Sequence, residues 1–209
     1  MKDGIKNFQE VIKMYFCPMR SASHLSQAQR CITPAQLNLN NQFRMLWEQH
    51  SVWTRMTIMG LVYDLPDTDL ITQRLLRNPK DFQNALLPFY GSVAASRFSE
   101  LLTEHLTLAA DLVNAVKAGD NQKAQEIEER WYANGDEIAE FLGSINPFWS
   151  VAEWKRLFRL HLDLVKQEAV DLLNGDIEGS IETYDQIEQE ALLMADVMSR
   201  GIIRQFLVM

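Results

Sequence analysis

Apolar residues recur along most of this chain at intervals of three and four, the period of helices buried on one side. The stretch from Pro34 to about Leu65 carries Phe43, Leu46, Trp47, Trp53 and Ile58 at that spacing, and Pro66 ends it. Asp67 is placed to cap a helix reaching Arg77, and Asn78-Pro79 to open a short one ending at Pro88-Phe-Tyr-Gly91. Ser92 to Ala118 predicts a long helix closed by Gly119, and Asp120 to Ser144 its antiparallel return, stopped by Asn146-Pro147. Ser150-Val-Ala-Glu153 has the form of a capping box for a helix to Leu173. Asn174-Gly175-Asp176 then separates it from a last helix running to about Phe206. Met45, Met56, Met59, Met194 and Met198 fall at helical spacing and are expected as core filling.

No alternating strand pattern interrupts this series. The expected fold is all-α, an antiparallel up-down bundle built from about three helical hairpins, in residues 36–209. Residues 1–35 read as a partly irregular N-terminal arm: a short amphipathic helix from Gly4 to Phe16, then a Ser-, Gln- and Pro-containing linker. Cys17, His24 and Cys31 stand in that linker at six-residue gaps, a weak metal pattern without a close Cys pair.

The hairpins repeat. His50, His105 and His161 are 55 and 56 residues apart. Seven residues before each stands Phe43, Phe98 or Trp154; four before, Leu46, Leu101 or Leu157; three before, Trp47, Leu102 or Phe158. Those offsets share one helical face, so each histidine is expected to point inward from the first helix of a hairpin. A buried imidazole needs partners, because an unpaired polar group in an apolar interior costs about 1 to 3 kcal/mol.

Residues equally far from a shared loop lie level in an antiparallel pair. Counting outward from each loop puts Asn134 opposite His105, and Glu188 opposite His161; the level of His50 falls near Asn78 and Asp81. His50, His105, His161 and Glu188 are therefore candidate ligands for a divalent metal such as Zn, Fe or Mn, with Asn134 orienting a ring. Glu137, one turn from Asn134, is a substitute ligand, and Glu168 a neighbouring group about 10 Å along the axis from His161. Asn78 reads most simply as a helix cap. Arg55, Arg74 and Arg77 could hold an anion, although a solvated charged face explains them as well. The rival to a metal site is a buried hydrogen-bond network that only fixes helix register.

Composition narrows the partners. The chain has 209 residues, 47% of them hydrophobic, and a net charge of −8. That charge disfavours a general nucleic-acid binder, whose affinity rests on clustered Lys and Arg. Two cysteines make no disulfide framework and fit a reducing cytoplasm. No apolar run approaches a membrane span, and the N-terminus lacks the apolar stretch of a secretory signal. A homodimer stays open. The G-x-G-x-x-G, phosphate-loop and G-x-S-x-G motifs do not occur.

Leu46-Trp-Glu-Gln-His50 with Trp53-Thr-Arg55, Arg74-Leu-Leu-Arg-Asn-Pro-Lys-Asp81, Trp131-Tyr-Ala-Asn134, Ile145-Asn-Pro147 and Met194-Ala-Asp-Val-Met-Ser-Arg-Gly-Ile202 together resemble a family of small bacterial all-helical proteins. The resemblance spans about residues 42 to 206. It implies a helical bundle, in a family of no established activity whose members often carry the label acetylglutamate kinase. The arrangement is also loosely similar to hemerythrin-like and ferritin-like bundles, although neither His-x-x-x-Glu nor Glu-x-x-His occurs here. The leading expectation is a metal- or small-ligand-binding bundle, with any catalysis redox or hydrolytic at the ion. A non-enzymatic interaction protein comes second and the kinase third.

Overall fold

Proline, glycine and capping residues divide the chain where the pattern places them. A computed structural model describes residues 32–209; the expected helix 4–16 and the Cys17, His24 and Cys31 pattern lie outside the described residues. The helices are α1 (Pro34–Tyr63), α2 (Thr68–Leu75), α3 (Asn78–Lys117), α4 (Asn121–Ile145), α5 (Val151–Asn174) and α6 (Ile177–Phe206). There is no strand among the described residues, and the bundle is all-α.

The short helix and the long one expected on either side of Gly91 join into α3, broken where Gly91 takes φ 74° and ψ 175°. Pro88 lies three residues earlier and cannot donate to the helical ladder, so the break falls where the ladder is already weakened. The break lets α3 serve twice. Its first part returns against α1, and its second part is the outgoing arm of the next hairpin. The helix pairs α3–α4 and α5–α6 pack closely along their lengths, and α4 packs on α5.

Three of the expected N-caps form, and two, Asp67 and Asn78, do not. Asp120, Ser150 and Asp176 each accept a backbone N–H of their own first turn. Asp67 makes no side-chain cap; Thr68 Oγ1 donates to the Leu65 carbonyl instead (2.6 Å). Gly175, at φ 76°, closes α5 in the left-handed conformation that glycine adopts without strain.

The core is aromatic on one side of the histidines and aliphatic on the other, where Ile58, Leu112, Val165 and Leu172 are buried. Phe43, Trp47, Phe82, Phe98, Trp131, Trp154 and Phe158 are all buried. Phe82 contacts Phe43, Trp47 and Phe98 at ring-centroid distances of 5.2–6.3 Å, which ties α1 to both parts of α3. The methionines divide: Met194 and Met198 are buried, whereas Met45 and Met56 face outward and do not fill the core. They lie eleven residues, about three turns, apart on one exposed side of α1, while Met59 packs partly buried against the core, so helical spacing alone did not fix which side each takes.

Trp149, in the α4–α5 connection, turns the N–H edge of its indole to α6 and donates from Nε1 to the Met198 carbonyl (3.2 Å). It can do so because residue 201 has no side chain: a Cβ there would sit 1.9 Å from the indole nitrogen. Gly201→Ala is therefore expected to expel or tilt Trp149 and to destabilise the protein by about 2 to 4 kcal/mol, overpacking plus a lost hydrogen bond. Chemical denaturation followed by far-UV circular dichroism measures it, and an unchanged midpoint would show that the indole moves without cost.

Candidate metal centre

The three histidines meet. His50 on α1, His105 on α3 and His161 on α5 are 1–2% exposed, and their ring centroids lie 5.6–6.2 Å apart. One ring nitrogen from each lies within 4.8 Å of the other two. Trp47, Trp131 and Phe158 wall the cluster at centroid distances of 5.5–6.0 Å from the nearest imidazole.

Each imidazole is held from behind by an oxygen on the returning arm of its own hairpin. His50 Nδ1 pairs with Asn78 Oδ1 (3.1 Å), His105 Nδ1 with Asn134 Oδ1 (3.1 Å) and His161 Nδ1 with Glu190 Oε2 (3.0 Å). The sequence separations are 28, 29 and 29 residues, so the repeat extends to the partner atoms.

The amides also settle the proton positions in the first two hairpins. Asn78 Nδ2 donates to the Leu46 carbonyl (2.9 Å), and Asn134 Nδ2 to the Leu101 carbonyl (3.2 Å), each four residues before the histidine. With the NH2 group so engaged, Oδ1 faces the ring and must accept. Nδ1 therefore carries the hydrogen, and in the neutral ring Nε2 keeps a bare lone pair. Orienting a histidine through its far nitrogen is how metal-ligating imidazoles are commonly held.

Burial enforces neutrality. It pushes His50 down to about 3, helped by the neighbouring His161, against a smaller opposing effect of the Asn78 hydrogen bond. His105 is driven well below its ordinary value by burial first, then by His161 and His50. The third hairpin differs in kind. Glu190 stands where the other two have Asn; its Oε2 meets His161, and its other oxygen, buried, has no hydrogen-bond partner.

The sequence-predicted residues fall as follows. His50, His105, His161 and Asn134 come together. Asn78, read as a cap, is instead a buried partner of His50, and the position before it caps α3 without a side-chain bond. Asp81 pairs with Arg77 at the surface. Glu188 does not reach the cluster: it is half-buried beside Glu48, and Glu190, two residues on, is the acidic group at His161. The count through the Asn174-Gly175 turn assumed no offset, and the structure has one of two residues. Glu137 joins Arg130 and Glu104 in a surface ion-pair network, away from the rings.

Glu168 is buried in a second polar group next to the first. Arg55 ion-pairs with it, donates to the Ser180 carbonyl (3.0 Å) and lies 4.8 Å over the Tyr184 ring. Burial pushes Glu168 up to about 7 despite that guanidinium. Two of the three arginines are taken up by carboxylates, Arg55 by Glu168 and Arg77 by Asp81; Arg74 stacks over Trp53 at 5.0 Å, and its buried Nη1 has no hydrogen-bond partner among the described residues.

Compared with protein-family models, with curated proteins and with solved structures, the chain matches none of them. Among the described residues no helix is long and apolar enough to cross a membrane.

Chelator-treated protein should lose stability as pH falls from 6.5. His50 and His105 are held below their ordinary 6.5, so the unfolded chain binds more protons there and acid favours unfolding. Glu168 is raised, binds its proton more tightly when folded, and opposes that trend between 4.5 and 7. Two histidines against one carboxyl leave a net slope of about 1.4 kcal/mol per pH unit between pH 4.5 and 6.5. Glu168→Gln removes the opposition and should double the slope. Urea unfolding at stepped pH reads both, and a pH-independent stability would contradict the burial of neutral imidazoles.

Proposed function

We propose that this protein binds one divalent cation through Nε2 of His50, His105 and His161. The observation that carries the reading is the threefold clamp: three convergent rings, each bonded through Nδ1 to an oxygen of the next helical arm. Three imidazoles, each with a ring nitrogen within 4.8 Å of the other two, match the first shell of a divalent cation. Nitrogens at most 4.8 Å apart lie no more than about 2.8 Å from a common centre in their plane. Zinc–imidazole bonds run about 2.0 to 2.1 Å, so an ion would draw each ring inward by about 0.7 Å. Zn, Fe and Mn all accept imidazole.

Glu190 then has a clear electrostatic part. It places a carboxylate one ring away from a doubly charged ion, and its unpartnered oxygen tolerates that position better with the cation present. Three protein ligands leave a further coordination position, the arrangement of catalytic rather than structural zinc sites. A metal-dependent enzyme of redox or hydrolytic type is the form of activity this supports.

The second reading is that the same clamps fix helix register in a non-enzymatic interaction protein. Glu190 against His161, a buried ion pair when the ring is protonated, favours it.

Metal analysis of untagged protein, followed by thermal melts with added Zn, Mn or Fe, separates the two. The metal reading expects one equivalent of metal and a rise in Tm of at least several degrees, with both lost in His105→Ala and His161→Ala. No bound metal, and no shift with any of the three ions, would leave register alone. Asn134→Ala should cost about 1 to 3 kcal/mol in the metal-free protein by stranding a buried N–H, and should weaken metal binding by 10- to 100-fold.

A further inference from the structure

A second feature lies against the histidines and plays no part in the clamps. One turn beyond them, on the side of the Ala118–Asp120 and Gly175 connections, the bundle holds a cavity of about 80 Å³ that opens to solvent on one side. Ile58 of α1, Ala109 and Leu112 of α3, Trp131 of α4, and Val165 and Ala169 of α5 form its walls. Ala109 and Val165 each follow a cluster histidine by four residues, about 6 Å along the axis. Trp131 is shared between the two sites, its ring 5.6 Å from that of His105.

Glu128 of α4 and Lys166 of α5 also line the cavity, and they ion-pair with each other across the two helices. Their charges are thus satisfied by one another, and both side chains are partly exposed, so the pair marks the mouth. Of the remaining wall, Trp131 Nε1 is a buried donor without a partner. A buried water needs two to four polar partners, and a single donor does not supply them. Apolar cavities of this kind stay dry and take apolar guests; one of about 150 Å³ holds benzene, with six carbons. At about half that volume, the space suits a guest of about three heavy atoms.

The geometry points to a binding site for a small, uncharged, apolar molecule or short alkyl group, lined by α1, α3, α4 and α5 beside the histidine cluster. It does not depend on an ion at the imidazoles, and it places any such molecule against the ring that walls His105.

Xenon is the probe. In chelator-treated protein, the ¹²⁹Xe chemical shift should depend on protein concentration in a saturable way, and rising xenon pressure should quench tryptophan fluorescence to a plateau. Ala169→Leu fills the cavity from α5 and should remove the saturable part of both signals while the helical far-UV spectrum is kept. Ala109→Leu blocks the same space from α3 and serves if the first variant fails to fold. A purely linear xenon response in the unaltered protein, or saturable binding that survives in whichever variant folds, would overturn the proposal. Because the xenon test uses chelator-treated protein, xenon binding without metal affinity would sink only the metal reading, and the reverse result only this one.

Discussion

The bond from an imidazole Nδ1–H to an oxygen on the returning helix is the constraint from which the rest follows. Each one crosses between the two arms of a hairpin in an interior of Trp, Phe and Leu, where no solvent competes for either group. Such a bond adds only about 1 kcal/mol net, but leaving it unmade strands a buried donor at about 1 to 3 kcal/mol. It therefore penalises every register but one. A slip of one residue would turn the asparagine away from its ring and from the carbonyl four residues before it. Made three times, the same bond aligns three hairpins at one height and brings the three rings together.

That common height makes the bundle more than a packing solution. Burial alone would remove charge from the imidazoles, and it does so at His50 and His105. The clamps add orientation, deciding which nitrogen is bare. The third hairpin departs from the other two by placing the Glu190 carboxyl, in place of an amide, against its ring. Three buried imidazoles with ring nitrogens within 4.8 Å of one another could hold a metal ion. The neighbouring Glu168, paired with Arg55, also interacts electrostatically with His161.

Much of this was legible in the sequence, for physical reasons that can be named. Helix ends were marked by groups that must satisfy terminal N–H groups or adopt left-handed backbone: Asp120, Ser150, Gly175. The three histidines could be aligned because the apolar residues seven, four and three before them repeat, and a repeat in sequence is a repeat in depth. Asn134 followed from counting through a tight turn. Glu190 was missed because the count through Asn174-Gly175 treated the two arms as meeting without offset. The better signal was the repeat itself: the 29 residues from His105 to Asn134, carried on from His161, lead to Glu190, and from His50 to within one residue of Asn78. Asn78 was obscured by the proline after it, which makes any Asn look like a cap. The Arg55–Glu168 contact joins residues 113 apart on non-consecutive helices, and no local pattern encodes it.

The central claim concerns where three protons sit, and nitrogen NMR reads that directly. Long-range ¹H–¹⁵N correlation of the imidazole rings in metal-free protein near pH 7 reports each nitrogen as protonated or bare. The account predicts the neutral form with hydrogen on Nδ1 for His50 and His105, a hydrogen on Nδ1 of His161, and selective movement of the three Nε2 signals when zinc is added. A hydrogen on Nε2 of His50 or His105, or ring signals that average as exposed, freely titrating histidines do, would contradict it.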